Sequence, residues 1–507
     1  MSLISNTVAN YIGRIYLSLI GIVILPFYLQ YLGAAAFGLI GLFAIMQTLL
    51  QLLDMGLTPA LSREVAHCSN HENGFSEIKQ LTHSLESIFF VISILIVFCI
   101  GISNHWIARH WLKIENLAIA EVSFCLMIAG IIISFRWFSE LYRAGVLGLE
   151  HQVWYNGASI VVVSLQYIGG YVLLRWFTHS PVYFFEYQLL IAIIEMIIFR
   201  KKFYKILPAS TNDSFHLYPS WKSIKKVLPF ASSVAYLSII TILVSQLDKI
   251  LLSHILPLSI YGYFVLVTVV SSGILQLSAP ISIAIMPRMT ALLSQGKEQE
   301  MLKLYRNSTQ IMAVIMLSLS GMIAIFATDV IYIWTGDRVA ANWAGPILFW
   351  YALGSGVLSV LAFQYYLQYA HGNLKLHVIF NTIFAIVTAP FIFFAAFHYG
   401  AKGTAITLFI IELIVFLVYT PIIHHKFAPK IHRIWLFNDI LPIFIAVAAM
   451  LICIKTIPIN FNLISRLESI IFLGGISFIV LMAAALASST CRDVFKTFVS
   501  TEWNVKV

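Results

Sequence analysis

The residues of this 507-residue chain that could do chemistry are charges set into long apolar runs. A charge at the centre of a bilayer costs about 2.5–3.5 kcal/mol on insertion scales, so such positions are the first to suspect of function. Arg14 follows NYIG in the first apolar run, and Arg136 stands in ISFRWFSE near the end of the fourth. A guanidinium meets two phosphate oxygens at once, so either arginine suits an anionic ligand in a cavity. The competing reading is a side chain that snorkels to cytoplasmic headgroups. Asp248 and Lys249, in SQLDKILLS, form the most polar point of the seventh run. Sequence neighbours point about 100° apart on a helix, so each is expected to find its own partner elsewhere. Their role is either transport or a structural ion pair that holds the lobes in register.

Two carboxylates lie deeper still. Glu195 in LIAIIEMIIF and Glu412 in LFIIELIVFL are flanked by aliphatics on both sides, an environment that favours the neutral acid. A protonatable carboxylate is what ion-coupled transport needs; a neutral acid bonded to a neighbouring helix is the plainer alternative. Asp54, with Arg63 beyond Pro59, reads as a gate or cap at the cytoplasmic mouth, or as a helix-end salt bridge.

These residues must be held by helices. The chain is 60% hydrophobic and only 10% charged, with a mean hydropathy of +0.90, where a soluble protein is about a quarter charged. A spanning helix needs about 20 mostly apolar residues, and backbone in lipid must satisfy its own hydrogen bonds. Fourteen such runs are expected, at about 10–30, 37–58, 84–103, 117–138, 153–174, 182–199, 227–253, 259–286, 309–329, 344–368, 376–397, 402–422, 438–456 and 467–488. No cleavable signal peptide is expected, because the first run is too long and no small-residue cleavage site follows it. With the N-terminus inside, cytoplasmic loops hold roughly three times as many Lys and Arg as outer loops, which puts both termini in the cytoplasm. The same bias accounts for the net charge of +9 through anionic lipid headgroups rather than nucleic acid.

The five cysteines, Cys68, Cys99, Cys125, Cys453 and Cys491, are far apart; neither a metal site nor a disulfide framework follows from their spacing. No cofactor motif appears. Nucleophile triads and Gly-rich phosphate loops are missing too, and the outer loops are short, which argues against a multi-span polymerase or ligase.

The chain repeats itself. YLGAAAFGLIGLFAIMQTLLQLLDMGLTPALSREVA (31–66) has a counterpart in ILPLSIYGYFVLVTVVSSGILQLSAPISIAIMPRMT (255–290), with Phe37-Gly38 matching Tyr261-Gly262. Gly148 of GLEHQVWYN and Gly372 of GNLKLHVIFN show the same offset of 224 residues as Gly38 and Gly262. Six spans per copy make the repeats parallel, related by an axis along the membrane normal. This gives a first lobe over 1–205, a polar cytoplasmic linker over 206–226, a second lobe over 227–425, and two additional helices with a tail over 426–507.

The segments YLG…FGL, LLDMGLTPALSREVA, LYRAGVLGLEHQVWYN, VSQLDKILLSHILPLSIYGYF and QYAHGN resemble the bacterial polysaccharide transporter family, the Wzx-type flippases of the multidrug/oligosaccharidyl-lipid/polysaccharide superfamily. The resemblance covers about residues 5–425. It implies two six-helix bundles in a V around a central cavity, in the bacterial inner membrane. It also implies outward movement of an undecaprenyl-diphosphate-linked oligosaccharide by alternating access, with H+ or Na+ as a driving partner. A polysaccharide polymerase and chain-length proteins are the implied protein partners. In such a cavity Arg14, Arg136 and Lys249 would meet the diphosphate, and Asp248, of the DK pair typical of the family, would couple or gate with Glu195 or Glu412. A drug/cation antiporter of the same superfamily is the alternative; it would want converging acidic residues, which here are scattered.

Overall fold

The computed structural model describes residues 3–68, 74–207, 221–457, 461 and 464–504, and among these it is all-helical, without a strand. The polar linker expected over 206–226 falls mostly outside the described residues. By packing, the chain divides into two compact units, Met1–Gly262 and Tyr263–Val507. That division comes later in the chain than the linker, because α8 packs with the first unit.

The first unit holds α1 (Leu3–Leu50), α2 (Leu57–Cys68), α3 (Gly74–Trp106), α4 (Ile119–Gly148), α5 (Gln152–Ser164), α6 (Gly170–Trp176), α7 (Pro181–Ile206) and α8 (Trp221–Ile255), and the start of α9 (Leu258–Ser294). The second contains the rest of α9, then α10 (Glu298–Ile325), α11 (Ala327–Thr335), α12 (Arg338–Ala370), α13 (Lys375–Phe427), α14 (Ile431–Ile434), α15 (Leu441–Lys455), α16 (Arg466–Ala487) and α17 (Ser489–Asn504).

Twelve helices among the described residues are long and apolar enough to cross a membrane, where fourteen spans are expected from the sequence. The difference lies in α1 and α13. α13 runs for 53 residues, about 80 Å if straight, against a hydrocarbon core of about 30 Å. It is broken at Gly400 (φ 60°, ψ −152°), as α1 is at Gly33 (φ 79°, ψ 166°). Without a Cβ, glycine reaches these left-handed angles without strain, and each break separates two segments near spanning length. Other boundaries move where polar residues continue a helix beyond its apolar part. α3 begins at Gly74, ten residues before the apolar run at 84, and the run expected at 309–329 divides into α10 and α11.

In the first unit α4 is the central helix. Val122, Ala129, Ile132 and Leu141 are fully buried, and Trp137 stacks on Phe89 of α3 at 4.1 Å between ring centroids. Small residues set the closest approaches, as is usual between membrane helices. Gly145 of α4 receives the Phe203 ring of α7, and Gly148 lies against the Ser62 carbonyl of α2.

In the second unit α10 is central, and one polar network joins it to the C-terminal helices. Asp439, 1% exposed, accepts from Arg306 Nε at 2.6 Å and Nη2 at 2.8 Å, and from Gln310 Nε2 at 2.9 Å. Gln310 Oε1 in turn accepts from the Ser488 and Ser489 hydroxyls and the Thr490 amide. Breaking a buried pair from one side strands the other charge. Arg306→Met is therefore expected to cost about 2 kcal/mol, less than a fully buried pair because Arg306 is partly exposed and Gln310 still donates. Asp439→Leu is expected to cost less, because Arg306 can turn to solvent. Thermal melting of the two variants in detergent checks the order; the reverse order would refute it.

Candidate functional site

The positions singled out in the sequence do not form one cluster; they fall into separate, well-bonded settings. Arg14 is exposed, on the stretch of α1 that packs against α5. Its neighbour Gly13 sits on the Asn156 side chain, and Tyr16 bonds Ser164. Arg136 is buried instead. Nη1 donates to Gln47 Oε1 at 3.2 Å, Nη2 donates to Gln188 Oε1 at 3.1 Å, and the guanidinium lies 5.4 Å from the Phe43 ring centroid. Its Nε has no hydrogen-bond partner among the described residues.

Glu195, 6% exposed, accepts from Arg143 Nη2 in a short salt bridge. Arg143 falls beyond the fourth run expected at 117–138, yet it lies within α4, with Glu140 at 3.7 Å and the Phe199 ring at 4.5 Å. The two arginines are two helical turns apart on α4, and Gln188 and Glu195 are two turns apart on α7. Each bonded pair is separated by 52 residues, so the parallel helices present two rungs of one ladder. That register is a signal the sequence carries: matching seven-residue spacings on two neighbouring spans.

Glu412 is half-buried on the second part of α13, with a carboxylate oxygen in the notch left by Gly354 of α12. Asp54 uses its carboxylate to cap α2. Both oxygens accept from the Thr58 amide at 3.2 Å, and Oδ1 also accepts the Thr58 hydroxyl. Arg63 is exposed further along α2.

Asp248 and Lys249 correct one expectation. Among the described residues the lysine reaches no distant partner; Nζ turns back to Asp248 Oδ1 at 3.2 Å and to the Ser245 carbonyl one turn earlier. Four methylenes are enough to close an angle of about 100° between neighbouring side chains. Asp248 is 2% exposed and lies near the buried hydroxyl of Tyr261.

Tyr261 adjoins a contact that sequence reasoning missed. A Cβ on Gly38 would fall well inside contact distance of the Leu258 carbonyl oxygen, and one on Gly262 would strike the Ala34 carbonyl oxygen. Leu258 is 224 residues after Ala34, as Gly262 is after Gly38. The crossing of α1 and α9 is thus reciprocal, with each repeat offering the same glycine to the same carbonyl of the other. At the same end, which the charge pattern puts outside, the segment after α3 closes over α8 and the start of α9. The Leu258 amide donates to the Lys113 carbonyl at 2.9 Å, Lys113 Nζ to the Ile255 carbonyl at 2.8 Å, and Trp111 Nε1 to Ser253 Oγ at 3.1 Å.

A family model described as "polysaccharide biosynthesis protein" matches residues 3–293, more than half of the chain. The chain belongs to that family. No curated protein sequence matches the chain. Among solved structures it is similar to a lipid II flippase MurJ in an inward closed conformation, with a TM-score of 0.72 at 15% identity over 95% of this chain and 98% of that one. An inward-facing multidrug resistance transporter of the MATE family gives 0.57 at 14% over 82% of this chain and 98% of that one. A transporter of the same superfamily from Pyrococcus furiosus gives 0.53 at 13% over 82% and 95%. The protein thus shares the fold of these flippases and transporters.

Proposed function

We propose that this protein flips an undecaprenyl-diphosphate-linked oligosaccharide outward across the bacterial inner membrane for O-antigen or another surface polysaccharide, by alternating access and with both termini cytoplasmic. The observation that carries the reading is the joint match: a polysaccharide biosynthesis family model over residues 3–293 together with a flippase-like fold over 95% of the chain. The multidrug transporters follow only 82% of it. Arg14 is exposed, and among the described residues no ion pair holds it, which supports its meeting a diphosphate. Lys249 and Arg136 take part in this reading only if Asp248, Gln47 and Gln188 release them. Glu195, Glu412 and Asp248 are the candidates for H+ or Na+ coupling, Asp54 and Arg63 those for gating at the inner mouth. A polymerase and chain-length proteins would act on the exported unit.

The test is gene deletion followed by analysis of surface polysaccharide and of the lipid-linked pool. Loss of surface polymer with complete repeat units stranded on the cytoplasmic leaflet is the expected result, restored by the wild-type chain and at least tenfold less by Arg14→Ala. An unchanged polymer with new sensitivity to cationic drugs would move the assignment to the antiporters. Exported but unpolymerised units would point to a polymerase. Full export by Arg14→Ala would remove the anion contact alone.

A further inference from the structure

A cluster of unlike donor atoms stands at the end of α2, on the face that the charge pattern puts inside. Glu64, His67 and Cys68 occupy positions i, i+3 and i+4 of the helix, and their ligand atoms all lie within 4.8 Å of one another. Cys68 is 2% exposed, Glu64 half-buried and His67 exposed. A second element contributes. Glu77 on the first turn of α3 brings Oε2 to 3.8 Å from Cys68 Sγ, while Glu64 Oε1 lies 3.4 Å from the same sulfur. Two carboxylates therefore converge on one buried thiol, with an imidazole beside them.

We propose that Glu64, His67, Cys68 and Glu77 form a binding site for a zinc-class divalent cation that staples α2 to α3. The donor set is one sulfur, one nitrogen and two oxygens. Thiolate and imidazole select against calcium and magnesium, which take oxygen ligands, and favour zinc among the abundant ions. Tetrahedral zinc holds its donors about 3.5 Å apart; the two sulfur–oxygen distances already lie close to that, and Glu64, His67 and Cys68 already hold their donor atoms within 4.8 Å of one another. A cation also offsets the mutual repulsion of carboxylates gathered around a thiol that loses its proton on binding. The exposed imidazole gives the ion a path from water. Because the ligands come from the end of α2 and the start of α3, the bound ion would fix these two helices to each other. Cysteine spacing alone hides such a site, since only one of its ligands is a cysteine.

The experiment uses the full chain in detergent, without a histidine tag, stripped of metal and then given Zn2+ or Co2+. The expected result is one zinc retained per chain and a thiolate-to-cobalt charge-transfer band. Cys68→Ala removes the band, His67→Ala weakens zinc binding at least tenfold, and Cys99→Ala changes neither. Melting of the metal-free variants at the wild-type temperature shows that they are folded. Absence of the band and of retained zinc in the wild type, or equal zinc uptake by Cys68→Ala, would overturn the proposal and leave a thiol hydrogen-bonded between two carboxylates. Neither result depends on transport, so the flippase reading stands or falls separately.

Discussion

Arg143→Met is expected to lower the unfolding free energy by about 3–5 kcal/mol, the range for breaking a buried ion pair from one side. The arginine side chain is 14% exposed and that of Glu195 is 8% exposed, so the stranded carboxylate has little water to turn to. The substitution also removes the guanidinium from the face of Phe199, 4.5 Å from its ring centroid, an interaction of about 0.5–2 kcal/mol. A second substitution separates charge from packing. In Arg143→Met/Glu195→Leu both charges are gone, and most of the lost stability is expected to return, because an apolar pair of similar volume often equals or exceeds a buried salt bridge. Melting in detergent reads both variants; a single variant as stable as the wild type would show that the pair contributes nothing. The same residues decide the coupling question. If Glu195→Gln transports normally across pH, Glu195 serves to hold α7 against α4 and carries no proton.

Gly262→Val, and Gly38→Val in the same way, are expected to destabilise by about 3 kcal/mol, the upper end for overpacking, and to reduce surface polymer to the level of the deletion strain. The obstacle in each case is a backbone carbonyl of the facing repeat, at Ala34 or Leu258, which cannot rotate away as a side chain could. Alanine at either position meets the same oxygen and is expected to give a smaller loss of the same sign. Gly157, whose added Cβ would meet nothing within 4 Å, is the control: Gly157→Ala should melt and transport like the wild type. Wild-type behaviour of both valine variants would mean that the crossing opens freely.

The architecture was legible because its cause is simple. Apolar runs of spanning length leave the backbone no alternative to helix, and the 224-residue offset of Gly38 and Gly262 singles out two glycines that meet matching carbonyls. Partners were less legible. Arg136 looked like a cavity charge because depth can be read from the sequence, whereas the glutamines that bind it, Gln47 and Gln188, lie on other helices and are neutral. Arg143 passed for a loop cation because hydropathy ends the fourth span before α4 itself ends. Helix geometry alone points Lys249 away from Asp248, whereas its flexible stem folds back onto that carboxylate. Counting apolar runs also missed that Gly33 and Gly400 break two helices without an intervening loop.

The two turns that share the 224-residue offset differ in their stereochemistry. Gly33 adopts φ 79°, and the residue 224 positions later is Pro257, whose ring fixes φ near −65°. One copy thus turns on the most permissive residue and the other on the least. A chimera that carries 255–290 in place of 31–66 would set a proline where only a left-handed backbone closes the turn. The halves keep a common spacing and a common crossing, yet they have ceased to be interchangeable parts.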